Sequence, residues 1–177
     1  KWNKKEFGKS YGLAGRTLGI VGLGAIGKAI AKAAQGLGMN IIAWSRSFTP
    51  EMEVELGIGY CESPLEVAKK SDAVSINLAS SAETRHLCNE EFFSRMRDGA
   101  IFINTSRGDV VDTIALKNAI KSKNIRVGLD VFENEPAGGN AEFAQTELAQ
   151  LAACTPHIGA STDQASEAIA SAVVGIV

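Results

Sequence analysis

The chain has 177 residues, enough for one domain with a substantial hydrophobic core. It is 45% hydrophobic and 21% charged, as ordinary globular domains are, and its formal net charge of −2 offers no basic field for nucleic acid or an anionic membrane. No apolar stretch is long enough to span a bilayer and no secretory signal is visible, although the first residues read like a linker from within a longer protein.

Taken in chain order, residues Lys1–Leu13 are polar and contain glycine, and carry no element. Strands are predicted at Thr17–Val21, Asn40–Trp44, Ala73–Asn77, Ala100–Asn104, Arg126–Asp130 and Ala152–Thr155, with a short irregular apolar piece at Gly57–Cys61. Helices are predicted at Ala25–Leu37, Pro64–Lys70, Glu90–Met96, Thr113–Lys121 and Thr162–Val177, and Pro136–Asn140 reads as a loop. Ser63-Pro64-Leu65-Glu66 has the form of a capping box with proline at the first helical position. Asn89 and Asp112 are further N-caps. Most of the strands are apolar on both faces, as in parallel sheets buried between helix layers. The alternation of strands and helices predicts an α/β fold: a Rossmann-type, doubly wound parallel sheet in three α/β/α layers with right-handed crossovers.

Cys61, Cys88 and Cys154 are odd in number, far apart and without metal-ligand spacing, so neither a metal site nor a disulfide framework is expected and a reducing cytoplasm fits best. Asn104-Thr105-Ser106 has the form of a glycosylation sequon. It closes a strand expected to be buried, and is read as chance.

The motif with the clearest chemistry is IVGLGAIG at residues 20–27, where Gly22, Gly24 and Gly27 have the spacing G-x-G-x-x-G between a strand and a small-residue helix. Gly22 makes the tight turn, Gly24 lets the backbone approach a pyrophosphate, and Gly27 lets the helix pack on the strand. The N–H groups of the helix N-terminus would then face the phosphates. A dinucleotide-binding unit usually carries a carboxylate about 20 residues further on, against the ribose hydroxyls. Here that place reads Trp44-Ser45-Arg46-Ser47, with Ser45 18 residues beyond Gly27. A serine does not repel a 2′-phosphate, and Arg46 could pair with one, which favours NADP over NAD. The other reading keeps Ser45 on an ordinary ribose and Arg46 as a solvated surface charge.

Ligands bind open parallel sheets beyond the carboxyl ends of the strands. Arg107 in INTSRGDVVD, Asp130 closing VGLD, Glu135 in DVFENEP and His157 in PHIGAST all fall at such ends. Taken singly, each has a bland reading: a surface arginine, a turn-capping aspartate, a solvated glutamate, a core histidine. Together on one edge they point to a site.

GLAGRTLGIVGLGAIG, INTSRGDVVD, GLDVFENEP and TPHIGAST resemble, in order and spacing, the D-isomer-specific 2-hydroxyacid dehydrogenases across almost the whole chain. The resemblance implies that Arg107 binds the substrate carboxylate, that His157 is the general acid protonating the carbonyl as hydride arrives, and that Glu135 bonds the histidine. It also sets Asp130, Thr105 and Ser106 on the nicotinamide side, Ala25 and Ile26 against the pyrophosphate, and Gly159 beside the histidine in the cofactor-binding set. The chemistry agrees. An arginine fork fixes a carboxylate bidentately, a cationic imidazole stabilises charge developing on oxygen, and a neighbouring carboxylate favours the charged imidazole.

Two departures from the family pattern stand out. Ser45 replaces the aspartate common in NAD-using members, and the serine–arginine pair resembles the glyoxylate and hydroxypyruvate reductases, as does HLCNEEFFSRMRDGAIFINTSRGDVV. HIGASTDQASEAIA instead resembles the phosphoglycerate dehydrogenases, so the substrate stays open between glyoxylate or hydroxypyruvate and 3-phosphoglycerate types. The second departure is extent. The resemblance runs from the family's interdomain crossing (KW) into its last helix (AVVGIV), so residues 1–177 correspond to the nucleotide-binding half, with the substrate domain absent and a homodimer expected of the parent. The competing reading is a non-catalytic nucleotide sensor or corepressor-like relative, against which Arg107, Glu135 and His157 stand together. A different Rossmann enzyme, such as a methyltransferase, fails on the Arg–Glu–His order.

Overall fold

A computed structural model describes residues 11–136 and 142–174. Seven strands form one sheet: β1 Thr17–Val21, β2 Asn40–Trp44, β3 Gly59–Tyr60, β4 Ala73–Ile76, β5 Ile101–Asn104, β6 Arg126–Leu129 and β7 Ala153–Cys154. Their order is β3-β2-β1-β4-β5-β6-β7, and every pairing is parallel. The order reverses between β1 and β4, which is the switch point at which such sheets open a crevice. The helices are α1 Ala25–Gly36, α2 Pro50–Leu56, α3 Pro64–Lys70, α4 Glu90–Arg95, α5 Thr113–Lys123, α6 Thr146–Leu151 and α7 Asp163–Val174. The Rossmann-type α/β architecture expected from the alternation is the one observed.

Two hydrophobic clusters cover the two faces. Leu18 and Ile20 of β1 pack with Ala31 and Ala34 of α1 and with Phe48 and Ile58. On the other face Val21, Val74, Ile76 and Phe102 meet Val67 of α3, Phe92 and Phe93 of α4 and Leu116 of α5. Phe92, Phe93 and Phe102 pack edge to face, with centroids 5.1–6.3 Å apart. The expectation of strands buried on both faces holds for β4 but not for β5 and β6. There Phe102, Asn104, Val127 and Leu129 are buried while Ile101, Ile103 and Gly128 are only half-buried, so one face of the sheet is less covered on that side.

Local chemistry sets the boundaries. The Ser63 hydroxyl accepts from the Glu66 amide, and the Glu66 carboxylate accepts from the Glu62 amide, near the expected capping box. Asn89 and Asp112 cap α4 and α5 as predicted. Asn124 in a left-handed conformation closes α5 two residues later than expected. Helices α2 and α6 have no counterpart in the sequence expectations, and the Gly57–Cys61 stretch supplies the short strand β3. Parts of Lys1–Leu13, of the loop Pro136–Asn140 and of the C-terminal helix lie outside the described residues.

Register places the strand ends in one row. Trp44, Val21, Ile76, Asn104, Leu129 and Cys154 are successive neighbours across the sheet. The residues that follow them, Ser45, Gly22, Asn77, Thr105, Asp130 and Thr155, therefore line one carboxyl edge about 24 Å long at ~4.8 Å per strand.

Candidate active site

At the centre of this edge Gly22 turns out of β1 with φ +101°, and its amide donates to the Trp44 carbonyl at 2.8 Å. A Cβ there would collide with the Asn77 carbonyl, and one on Gly27 would collide with the Gly22 carbonyl. Both glycines are thus demanded by packing inside the protein itself. Gly24 differs: among the described residues, its chain neighbours aside, no atom lies within 4 Å of where its Cβ would be. Gly24, Ala25 and Ile26 are exposed, no side chain among the described residues caps α1, and its first turn carries no acidic residue. An exposed, uncapped helix N-terminus behind a cradle that a Cβ would fill suits a pyrophosphate, so the residues present fit a dinucleotide.

Beyond β2, Ser45 is half-buried, with its hydroxyl 3.4 Å from that of Ser47, and Arg46 is exposed. Arg46 has acidic company. The carboxyl of Glu83, on the loop after β4, is held below its usual range first by the Ser81 hydroxyl and more weakly by the charge of Arg46.

Beyond β5 the key residue is Asn104, which the sequence reading set aside as a chance sequon. It is fully buried. Its Oδ1 accepts from the Ser106 amide at 3.0 Å and from the Ser106 hydroxyl at 2.8 Å, and its Nδ2 donates to the Arg107 carbonyl at 2.8 Å. One side chain thus ties down the loop that carries Thr105, Ser106 and Arg107. The exposed Arg107 guanidinium also donates to the Ser106 carbonyl at 2.7 Å. Gly108 then enters a short 3-10 turn, buried against the Phe132–Glu133 peptide.

Beyond β6, Asp130 is buried and turns both oxygens toward the loop after β7. Oδ1 accepts from the Thr155 hydroxyl at 2.5 Å and the Ile158 amide at 2.8 Å, and Oδ2 accepts from the Gly159 amide at 2.8 Å. Burial pushes its carboxyl up, but the Thr155, Ile158 and Gly159 donors and the nearby His157 outweigh that and hold it below the usual range. A Cβ on Gly159 would stand 2.8 Å from Asp130 Oδ2, so glycine permits the close approach. The anchored loop presents His157, in a left-handed conformation at φ +53°, with Nδ1 2.9 Å from Glu135 Oε1. The Nδ1 side of the ring is therefore taken by the carboxylate, which leaves Nε2 as its other proton-carrying atom.

A second imidazole–carboxylate pair was not anticipated. His86 Nε2 lies 2.7 Å from Glu133 Oε1, with Arg85 3.7 Å from the same oxygen. The signal lay in the count of histidines: there are two, and each meets a glutamate of DVFENEP.

Residues 1–159 match the family described as D-isomer specific 2-hydroxyacid dehydrogenase, NAD binding domain. The chain belongs to this family. A glyoxylate reductase of Thermococcus litoralis is 45% identical over 180 residues, covering 98% of this chain and 53% of that protein. A D-3-phosphoglycerate dehydrogenase of Methanocaldococcus jannaschii is 35% identical over 174 residues, covering 98% of this chain and 32% of the relative. Among solved structures, the D-lactate dehydrogenase of Aquifex aeolicus complexed with NAD and lactic acid superposes with a TM-score of 0.82 at 34% identity, over 94% of this chain and 54% of that one. The chain thus spans about half the length of the glyoxylate reductase and the lactate dehydrogenase it matches.

Membership agrees with the architecture: the family's NAD-binding domain is the part matched, and the glycine turn, the Arg107 loop and the Glu135–His157 pair all stand on its carboxyl edge. Among the described residues no helix is long and apolar enough to cross a membrane, and no cluster of three metal-ligating side chains occurs.

Proposed function

We propose that this domain binds a nicotinamide dinucleotide and furnishes the carboxylate-binding arginine and the proton donor for interconverting a D-2-hydroxy acid and its 2-oxo acid. The observation that carries the reading is the 2.9 Å Glu135–His157 pair on the same sheet edge as the glycine turn and Arg107. When bound, the nicotinamide supplies or accepts hydride. Gly24, Ala25 and Ile26 would hold the pyrophosphate at the α1 N-terminus, with Gly22 and Gly27 shaping the turn that presents them. Thr105 and Ser106 would border the nicotinamide side, and Asp130 and Gly159 would fix the loop that carries His157. Arg107 grips the substrate carboxylate, and its charge steadies the carbonyl oxygen as that turns anionic. His157 Nε2 delivers a proton to that oxygen in reduction and withdraws it in oxidation, while Glu135 holds Nδ1 and balances the imidazolium.

The absent carboxylate at Ser45 and the charge of Arg46 support NADP as the favoured cofactor, with NAD also accepted. The substrate class is glyoxylate, hydroxypyruvate or 3-phosphoglycerate-like. The enzyme carrying the domain is read as a cytoplasmic homodimer acting on a small molecule. Titration of the 177-residue chain with NAD and NADP tests the binding reading, and absence of binding by either dinucleotide sinks it. A panel of 2-oxo acids, assayed with the protein that joins this domain to its substrate-binding partner domain, tests the chemistry.

A further inference from the structure

Among the described residues, four non-glycine residues have positive φ: His86 at +49°, Asn124 at +52°, Asn134 at +57° and His157 at +53°. Asn124 ends α5, a common use of the left-handed conformation. The other three lie along one path. His86 pairs with Glu133 at 2.7 Å, Asn134 is the turn between the two glutamates, and Glu135 pairs with His157 at 2.9 Å. Non-glycine residues persist in such a conformation when their surroundings over-determine it.

The surroundings here do so at Glu133. The His86 amide donates to the Asp109 carbonyl at 2.9 Å, which fixes the backbone of His86 to the turn behind Arg107. The Glu133 carbonyl accepts from the Gln145 side chain, and its peptide lies against Gly108. Burial works against the Glu133 charge, but hydrogen bonds from His86 and Thr113 outweigh it and hold the carboxyl below its usual range. Glu133 is thus clamped by its side chain and by its backbone. Glu135, two residues on and half-buried, is held to His157 by its carboxylate.

We infer that His86 and Glu133 are positioning residues for the reaction: their bond sets the Asn134 turn that presents Glu135 to Nδ1 of His157. The inference rests on the proposed role of Glu135 and His157 as the acid–base pair. The charged group beside the first pair is Arg85, Asp109 meeting His86 through its carbonyl alone, and Asp130 stands beside the second. Neither His86 nor Glu133 touches substrate or cofactor in this scheme. Their effect is on which nitrogen of His157 carries the proton in the neutral ring.

Nitrogen-15 labelling of histidine gives two sets of ring signals in the 177-residue chain, assigned by substituting His86. In the unaltered chain the neutral His157 ring should carry its proton on Nδ1, toward Glu135. His86→Asn tolerates positive φ but is too short to reach Glu133, and Glu133→Ala cuts the same bond from the other side. Each should move His157 toward the Nε2–H tautomer that a free imidazole favours, so that Nδ1–H becomes the minor form. His86→Gln, a neutral donor with the reach of Nε2, should restore the Nδ1–H form. Loss of the Glu133 charge alone would leave His86→Asn without effect, so that variant separates positioning from electrostatics, and either disrupting variant serves if the other fails to fold. If Nδ1–H persists in both disrupting variants but is lost in Glu135→Ala, the inference is overturned and the acid–base pair stands. If Glu135→Ala also leaves the tautomer unchanged, the pair and the inference fall together.

Discussion

Gly108 lies so close to Phe132 that a Cβ at position 108 would overlap the Phe132 carbonyl carbon and oxygen. This contact joins the loop carrying Arg107 to the segment carrying Glu133 and Glu135. The glycine after the arginine is needed for packing rather than for its φ, since it has no positive dihedral. The two halves of the proposed chemistry, carboxylate binding and proton transfer, are therefore built against each other through backbone. Gly108→Ala should force them apart and destabilise the chain by about 2 kcal/mol, within the usual range for overpacking. Thermal unfolding should show it as a Tm lower by roughly 4–8 °C, and an unchanged Tm would mean that the contact is looser than described.

The Asp130 carboxylate links stability to acid. Its folded form is held below the usual range although it is buried, so the unfolded chain binds the proton more readily. The associated stability is fully present above about pH 4, the ordinary range of an unfolded aspartate, and is lost as pH falls through the lower folded value. Asp130→Ala removes the acceptor for three donors and should cost about 1.5–3 kcal/mol at neutral pH, less at pH 2–3. Hydrogen exchange at the Ile158 and Gly159 amides should quicken in that variant. Protection equal to the unaltered chain would contradict the assignment.

The proposed preference for NADP rests on two opposed charges: Arg46 would pair with a 2′-phosphate, and Glu83 shares its surroundings. Arg46→Ala should weaken NADP binding about tenfold or more, as loss of a hydrogen bond to a charged group costs roughly 1.5–3 kcal/mol, and should leave NAD nearly unchanged. Glu83→Gln should shift preference further toward NADP. Added salt should blunt both effects, because both side chains are exposed. Tighter binding of NAD, with no response of NADP affinity to Arg46→Ala, would overturn the charge argument.

The parallel sheet and the glycine turn were legible because their signals are local: apolar runs, helix caps, and a motif set between strand and helix. Two helices were not. In α2 the run Glu51-Met52-Glu53-Val54-Glu55-Leu56 alternates polar and apolar, the period of a strand. The helix is set instead by Pro50 in its first turn and by Gly57 at φ +62° after its end, and it packs through Met52 and Leu56 while Val54 is 90% exposed. Helix α6 has six residues, too few to show a period. The placement of Arg107, Glu135 and His157 beyond strand ends was legible, but the part Asn104 plays in its loop was not. Its importance lies in both ends of one amide being used within a three-residue loop, which is a matter of geometry rather than residue type. His86 escaped for the same reason: its partner is 47 residues away.

The catalytic reading makes the sharpest demands on an enzyme that carries this domain together with a substrate-binding domain. His157→Ala should lower kcat by about 10²–10⁴-fold, since the carbonyl oxygen then has no positioned proton donor. Arg107→Ala should act mainly through the substrate carboxylate, raising KM for the 2-oxo acid and lowering kcat/KM through lost orientation. Glu135→Gln keeps the shape of the pair but removes the carboxylate that orients His157, so kcat should fall, though by less than in His157→Ala. All three variants should bind dinucleotide as the unaltered enzyme does, because none is assigned to the pyrophosphate or the ribose. That pattern separates an enzyme from a nucleotide sensor, in which binding would persist but no reaction would depend on His157. Full activity in His157→Ala would remove the proposed proton donor, and the mechanism with it.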